Sequence, residues 1–174
     1  MSNQLTVFSC ITGGIKDQLD ILFQSKPVVQ PGVKFVLFTD RLKPQTVHGA
    51  TATWEVRAPV YTNINSRRTA RYHKVNSHLV TDTPYSMWID GAFEIKEGVD
   101  PLAMIQQWLA TTDLATYRHP ERNCVYQELD ACLRLKKDDP ETMRRQIDRY
   151  KTEGYPTYAG LVETACVCRR HTEL

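Results

Sequence analysis

The sequence predicts an α/β fold, a mainly parallel central sheet flanked by helices, on three observations. Short apolar runs rich in β-branched and aromatic residues recur at 5–11, 33–39 and 85–89, each bounded by glycine, proline or aspartate. Two of these runs deliver a carboxylate to their own carboxyl end, Asp40 and Asp90, which is where open α/β sheets hold their ligands. Among them lie stretches of helical spacing. The most marked, Arg67 to Val80, sets Arg67, Arg71, Lys74 and His78 at intervals of four, three and four residues on one face.

In chain order, Leu5 to Ile11 reads as a first central strand. Thr12-Gly13-Gly14 then turns into a helix from about Asp17 to Gln24. Two glycines let a ligand approach the backbone, although the pattern is neither GxGxxG nor Walker. Gln30-Pro31-Gly32 is a turn into the strand Val33 to Thr39, after which Asp40 either caps the following turn or contacts a ligand. Thr51 to Val56 alternates as a strand near an edge does, and Ala58 to Ser66 is a loop.

On the helix that follows, Tyr72, Val75 and Leu79 share a face beside the basic one. This predicts that the helix lies on the sheet by its apolar side and turns its basic edge to a cleft. Like charges stacked on one stripe repel unless an anion sits opposite, and a diphosphate would supply it. Asp82-Thr83-Pro84 ends the helix. The strand from Tyr85 stops at Asp90-Gly91, either a tight turn or a carboxylate for a divalent metal or a ribose hydroxyl. Asp100 caps a helix with Pro101 in its first turn and Leu102, Ile105, Trp108 and Leu109 facing the core. A strand over Asp113 to Tyr117, helices over Cys124 to Lys136 and Pro140 to Glu153, and a last strand over Thr164 to Arg169 complete the chain.

The 174 residues suit a single domain with a real core. Twenty-two basic against 20 acidic residues leave a net charge of +2, so no nucleic-acid partner and no polybasic membrane patch is expected. The N-terminus lacks a basic start with an apolar run, and no apolar stretch nears 20 residues, which predicts a soluble cytoplasmic protein with no membrane partner. Five cysteines, an odd number without an export signal, are expected to be reduced. Cys166-x-Cys168 without a second pair fits alternation on a strand better than zinc, and Cys124 and Cys132 read as fillers of one helix face.

Five stretches together resemble a known family. They are Phe35-Val36-Leu37-Phe38-Thr39-Asp40, Arg71-x-x-Lys74-x-x-x-His78, Tyr85-Ser86-Met87-Trp88-Ile89-Asp90-Gly91, His119-Pro120-x-Arg122-x-Cys124-x-Tyr126-x-Glu128 and Arg170-His171-Thr172. Their order is similar to that of the glycosyltransferase-like domain once catalogued as domain of unknown function 616, found in plant Golgi proteins and in bacterial and phage proteins.

The resemblance implies a GT-A-like (Rossmann-like) fold in one domain over 1–174. Residues 1–95 would bind a nucleoside diphosphate sugar, and 96–174 would form an acceptor side, C-terminally minimal. It implies transfer of the sugar to the hydroxyl of a saccharide or other acceptor, assisted by Mn²⁺ or Mg²⁺. Carried onto this sequence, Thr12, Gly13 and Asp40 would meet the nucleobase and ribose, and Arg71 and Lys74 the diphosphate, with Arg67 beside them on the basic stripe. Asp90 and a returning His171 would hold the metal, with Asp90 serving catalysis. His119, Arg122 and Glu128 would bind the acceptor or move its proton, with Glu128 as base.

One departure bears on the metal, because the family's Asp-x-Asp is here Asp90-Gly91-Ala92. The competing expectations are a catalytically inactive nucleotide-sugar or carbohydrate-binding module and a nucleotide hydrolase. Oligomeric state is left open.

Overall fold

A computed structural model of the chain describes residues 2–13, 30–40, 47–49 and 52–172. Its strands are β1 (Leu5–Ile11), β2 (Val33–Thr39), β3 (Val47–Gly49), β4 (Ala52–Arg57), β5 (Tyr85–Ile89), β6 (Leu114–Arg118) and β7 (Val162–Arg170). They form one sheet in the order β3-β4-β2-β1-β5-β7-β6. β4, β2, β1 and β5 run parallel, whereas β3 is antiparallel to β4 and β7 to β5. The expected α/β class, with a mixed and mainly parallel Rossmann-like sheet, is therefore what forms.

The helices are α1 (Ser66–Val75), α2 (Ser77–Val80), α3 (Pro101–Trp108), α4 (Val125–Arg134) and α5 (Pro140–Thr152). No helix among the described residues is long and apolar enough to cross a membrane. The helix expected over Asp17 to Gln24 lies outside the described residues. β3 is an edge strand with no counterpart among the strands expected from the residues, and it moves β4 one place inward.

The chain divides into two compact units, Met1–Ala115 with Ala165–Leu174, and Thr116–Thr164. In the first unit, alternation along each strand loads both faces of the sheet. Leu5, Val7, Phe35, Leu37 and Met87 pack on one face against Ile105 and Leu109, both fully buried at the α3 end. α3 is set by its predicted cap, since Asp100 Oδ1 accepts from the N–H groups of Leu102 and Ala103 at 2.9 and 3.0 Å, with Pro101 in the first turn. On the other face Phe8, Val36, Phe38 and Trp88 pack with Ala70 of α1 and Val80 of α2. Phe8 and Trp88 meet edge to face at 5.4 Å, a geometry worth about 1 kcal/mol beyond the area it buries.

Two features of the central helix differ from expectation. The continuous helix over Arg67 to Val80 breaks at Asn76, whose side-chain amide and backbone N–H both donate to Tyr72 O. Arg169 of β7 donates to Lys74 O at 2.7 Å and so takes over a carbonyl at the end of α1. The buried side is also not the apolar one. Val75 and Leu79 are 64% and 59% exposed, while Thr69, His73 and Ser77 are buried against the sheet.

In the second unit α4 and α5 pack together around Ala131 and Ile147, and Asp139 caps α5 by accepting from Thr142 N–H at 2.7 Å. Tyr126 O–H donates to Tyr155 O at 2.6 Å, tying α4 to the segment that follows α5. The outer face of α5 is solvated and charged, as expected, and carries an Arg149–Glu153 pair one turn apart. Among the cysteines, all free, Cys166 and Cys168 lie on the same face of β7 with their sulfurs 4.0 Å apart in the core. Cys10 is buried on β1, and burial, with Asp40 nearby, pushes its thiol up to about 12. Cys132 lies on α4, but Cys124 precedes that helix as its cap residue, so the two do not share a helix face.

Candidate functional site

The parallel strands create a crevice by topology. The chain steps outward from β1 through β2 to β4, then returns to place β5 on the other side of β1. The strand order reverses between β1 and β5, and the carboxyl ends at such a switch point are where α/β sheets bind ligands. The polar residues expected from the sequence gather there, with Thr12 and Gly13 after β1, Asp40 after β2 and Asp90 after β5. α1 starts at this edge, since a Cβ built on Gly13 would lie 2.5 Å from Ser66 Cβ.

Gly13 is required for two reasons. Its φ of +80° is left-handed, and its missing side chain leaves room for the first residue of α1. Its N–H donates to Asp40 Oδ2 at 3.1 Å, so Asp40 fixes the loop after β1. Thr12 Oγ1 is buried without a hydrogen-bond partner among the described residues. Arg67 and Arg71 are exposed on α1, one turn apart and each with an interaction of its own. Lys74, a further turn along, is only 16% exposed at its side chain.

Lys74 reaches Asp90. Its Nζ lies 3.2 Å from Asp90 Oδ1 and 5.5 Å from the centre of the Trp88 ring, and Trp88 Nε1–H donates to the same carboxylate oxygen at 2.5 Å. Strand alternation puts Trp88 and Asp90 on one face, toward α1, while Asp90 N–H is held by Ala165 O at 2.8 Å. The tight turn is real as well, because Phe93 N–H returns to Asp90 O. His78, on α2, is beyond the break in the stripe and exposed.

His171 is not brought to Asp90. β7 runs antiparallel to β5, pairing Cys166 with Ile89 and Arg170 with Tyr85, so residues later in the chain sit at the opposite end of β5. There His171 Nε2 lies 2.9 Å from Ser86 Oγ and its backbone N–H donates to Pro84 O. Burial, with His78 and Arg169 nearby, holds its imidazole below the ordinary value. It fastens the last strand to the amino edge of the sheet.

The residues present do not fit a resident divalent metal. Among the described residues no three His, Cys, Asp or Glu side chains come together to hold an ion. Asp90 Oδ1 already accepts from an ammonium and an indole N–H, and Ala92 offers no side-chain oxygen where the second acid would stand. Mg²⁺, Mn²⁺ and Ca²⁺ need six or more oxygens, and the Lys74 ammonium beside Asp90 opposes a second cation there.

The second unit brings together His119, Arg122 and Glu128. Arg122 Nε donates to Glu128 Oε2 at 2.5 Å and its other end to Glu121 Oε2 at 2.7 Å. Cys132 S–H donates to Glu128 Oε1 at 3.4 Å, so both oxygens of Glu128 are engaged. His119 Nδ1 accepts from the N–H groups of Glu121 and Arg122 at 3.2 and 3.1 Å, and its Nε2 lies 3.1 Å from Arg122 Nη2 and 3.8 Å from Glu128 Oε2. In this arrangement the three side chains brace the 119–123 turn, and a base role for Glu128 requires its release from Arg122.

A contribution missed in the sequence is the buried polar side of α1. His73 Nδ1–H donates to Thr69 O at 2.8 Å, and its Nε2 accepts from Val60 N–H at 3.1 Å. Asn63 N–H donates to Thr69 Oγ1 at 2.8 Å, and Tyr61 stacks on Tyr72 at 4.4 Å. Thr69 and His73 thereby clamp the loop that carries the chain from β4 to α1. The available signal was the spacing of Thr69, His73 and Ser77 at four residues, one face of polar side chains.

An α/β sheet whose strand order reverses between β1 and β5, with acidic, basic and glycine positions collected at that switch point, defines a Rossmann-like class of protein. Within that class the chain belongs to the TOD1/MUCI70, glycosyltransferase-like domain family, whose profile matches residues 4–174. It is also similar to the probable hexosyltransferase MUCI70 of Arabidopsis thaliana, 32% identical over 98 residues, which is 55% of this chain and 16% of that protein. No solved structure gives a significant match.

Proposed function

We propose that the domain binds a nucleoside diphosphate sugar at the carboxyl edge of the sheet, in a GT-A-like arrangement, and transfers the sugar to a hydroxyl of a saccharide or other acceptor. The observation that carries this reading is the cluster at the switch point, where Lys74 is fixed on Asp90 beside the end of β1. The family membership supports it. Transfer needs positive charge on the departing diphosphate and a group to take the acceptor proton. Lys74, with Arg67 and Arg71 on the same side of α1, meets the first need, and Thr12 Oγ1 is a buried hydroxyl that a ligand would satisfy. Glu128, once freed from Arg122, is the candidate for the second.

The test is to incubate the protein with UDP-, GDP-, CDP- and ADP-sugars and follow nucleotide release with and without saccharide acceptors. Release that rises with acceptor is expected. Nucleotide binding without release under every condition would instead make the domain an inactive sugar-nucleotide module. Substituting Arg71 by alanine should weaken nucleotide binding by about 1.5 to 3 kcal/mol, the range for a charge-assisted hydrogen bond, with melting temperature unchanged. Unchanged affinity in calorimetric titration would take Arg71 out of the site.

A further inference from the structure

We infer that the Lys74 ammonium, positioned by Asp90, takes the place of a divalent ion at this site, so that nucleoside diphosphate binds without metal. The inference rests on the donor reading above and makes Asp90 a positioning residue for Lys74 rather than a metal ligand.

The geometry around Lys74 and Asp90 carries it. Asp90 spends Oδ1 on Lys74 and on the Trp88 indole N–H, both donors, so an ammonium already stands against the carboxylate that a second cation would have to approach. The Lys74 side chain is 16% exposed and lies over the Trp88 ring, so the ammonium is held at one place rather than sampling solvent. An ammonium has three N–H bonds, and Lys74 Nζ donates one of them to Asp90, which leaves donors to meet phosphate oxygens. Ala92, where a second carboxylate would be needed for a metal, removes negative charge that would compete with the phosphates. Arg67 and Arg71 precede Lys74 on the same side of α1.

Calorimetric titration of the full chain with UDP, GDP, CDP and ADP, in EDTA and then with Mn²⁺ or Mg²⁺, tests this directly. At least one nucleotide should bind in EDTA with an affinity within about threefold of that in metal. In EDTA, Lys74→Gln should weaken it by about 10- to 100-fold and Lys74→Arg by less, since a charge-assisted bond is lost in one and exchanged in the other. Asp90→Asn, which keeps the acceptor for Trp88, should cost about three- to tenfold alone and nothing further in the Lys74→Gln background, the non-additivity of a positioning residue.

Nucleotide that binds only with metal, and loses that increment in Asp90→Asn, overturns the inference and leaves the donor reading standing. No nucleotide binding in any condition removes the donor reading and the inference with it. If Lys74→Gln melts early, the EDTA comparison on the unsubstituted chain still decides.

Discussion

Replacing His73 by alanine is expected to destabilise the protein by about 4 kcal/mol, the sum of a ring-sized cavity and an orphaned buried donor. His73 is fully buried, its ring centre is 4.8 Å from that of Phe38, and its two nitrogens bond Thr69 O and Val60 N–H. For a chain of this length the melting temperature should fall by about 10 °C. His73→Phe separates the contributions, because it refills the space and removes both hydrogen bonds, and should cost about 1 to 3 kcal/mol. Both variants free the loop from Val60 to Asn65 and should also weaken nucleotide binding. A His73→Phe protein as stable as the parent would mean that the clamp adds nothing.

The same residue makes stability depend on pH. Burial holds the His73 imidazole below its ordinary value of 6.5, and His171 is lowered as well, by burial, His78 and Arg169. The unfolded chain therefore takes up these protons first. The stability from keeping both rings neutral is fully present above about pH 6.5 and is lost as the pH falls below that value toward the lowered folded ones. Melting temperatures at pH 7.5 and 5.0 should differ, lower at 5.0, and His73→Phe should shrink the difference. A flat profile in the parent would show that neither histidine is held neutral.

Gly13→Val carries the second large penalty, about 3 kcal/mol or more. A β-branched residue at a φ of +80° is strained by about 1 to 2 kcal/mol, and its Cβ would lie 2.5 Å from Ser66 Cβ and 2.9 Å from Ser66 Oγ, an overlap of the kind that costs another 1 to 3 kcal/mol or so. The Oγ contact can turn away about χ1, but the Cβ contact cannot relax without moving α1 off β1. Adding Ser66→Gly should recover the overlap part and leave the backbone strain, so the double variant should melt between the single variant and the parent. Gly13→Val melting like the parent would show that the loop after β1 is free to rearrange.

Some of this is legible in the residues. β1 and β2 are delimited to the residue, because buried parallel strands are short apolar runs and Gly, Pro and Asp punctuate them. α3 and α5 are placed by Asp-Pro starts, whose caps are local. Asp40 and Asp90 fall at strand ends for the same reason. The packing side of α1 is not legible, because hydrophobicity points to the wrong face. Thr69 and His73 are buried at low cost only because Val60 and Asn63, six to 13 residues away, supply their partners.

What the sequence by itself determined is therefore what lies within a few residues of its cause: strand and helix positions, caps, the tight turn after Asp90 and the class of fold they build. Only the tertiary structure decided what depends on distant segments meeting. The antiparallel course of β7 carries His171 to the amino edge of the sheet and leaves Ala165 beside Asp90. The reach of Lys74 from α1 to β5 makes the strand-end carboxylate Asp90 one half of an ion pair, because a carboxylate in a half-buried crevice takes the nearest cation. Spacing along a chain cannot report which cation that will be.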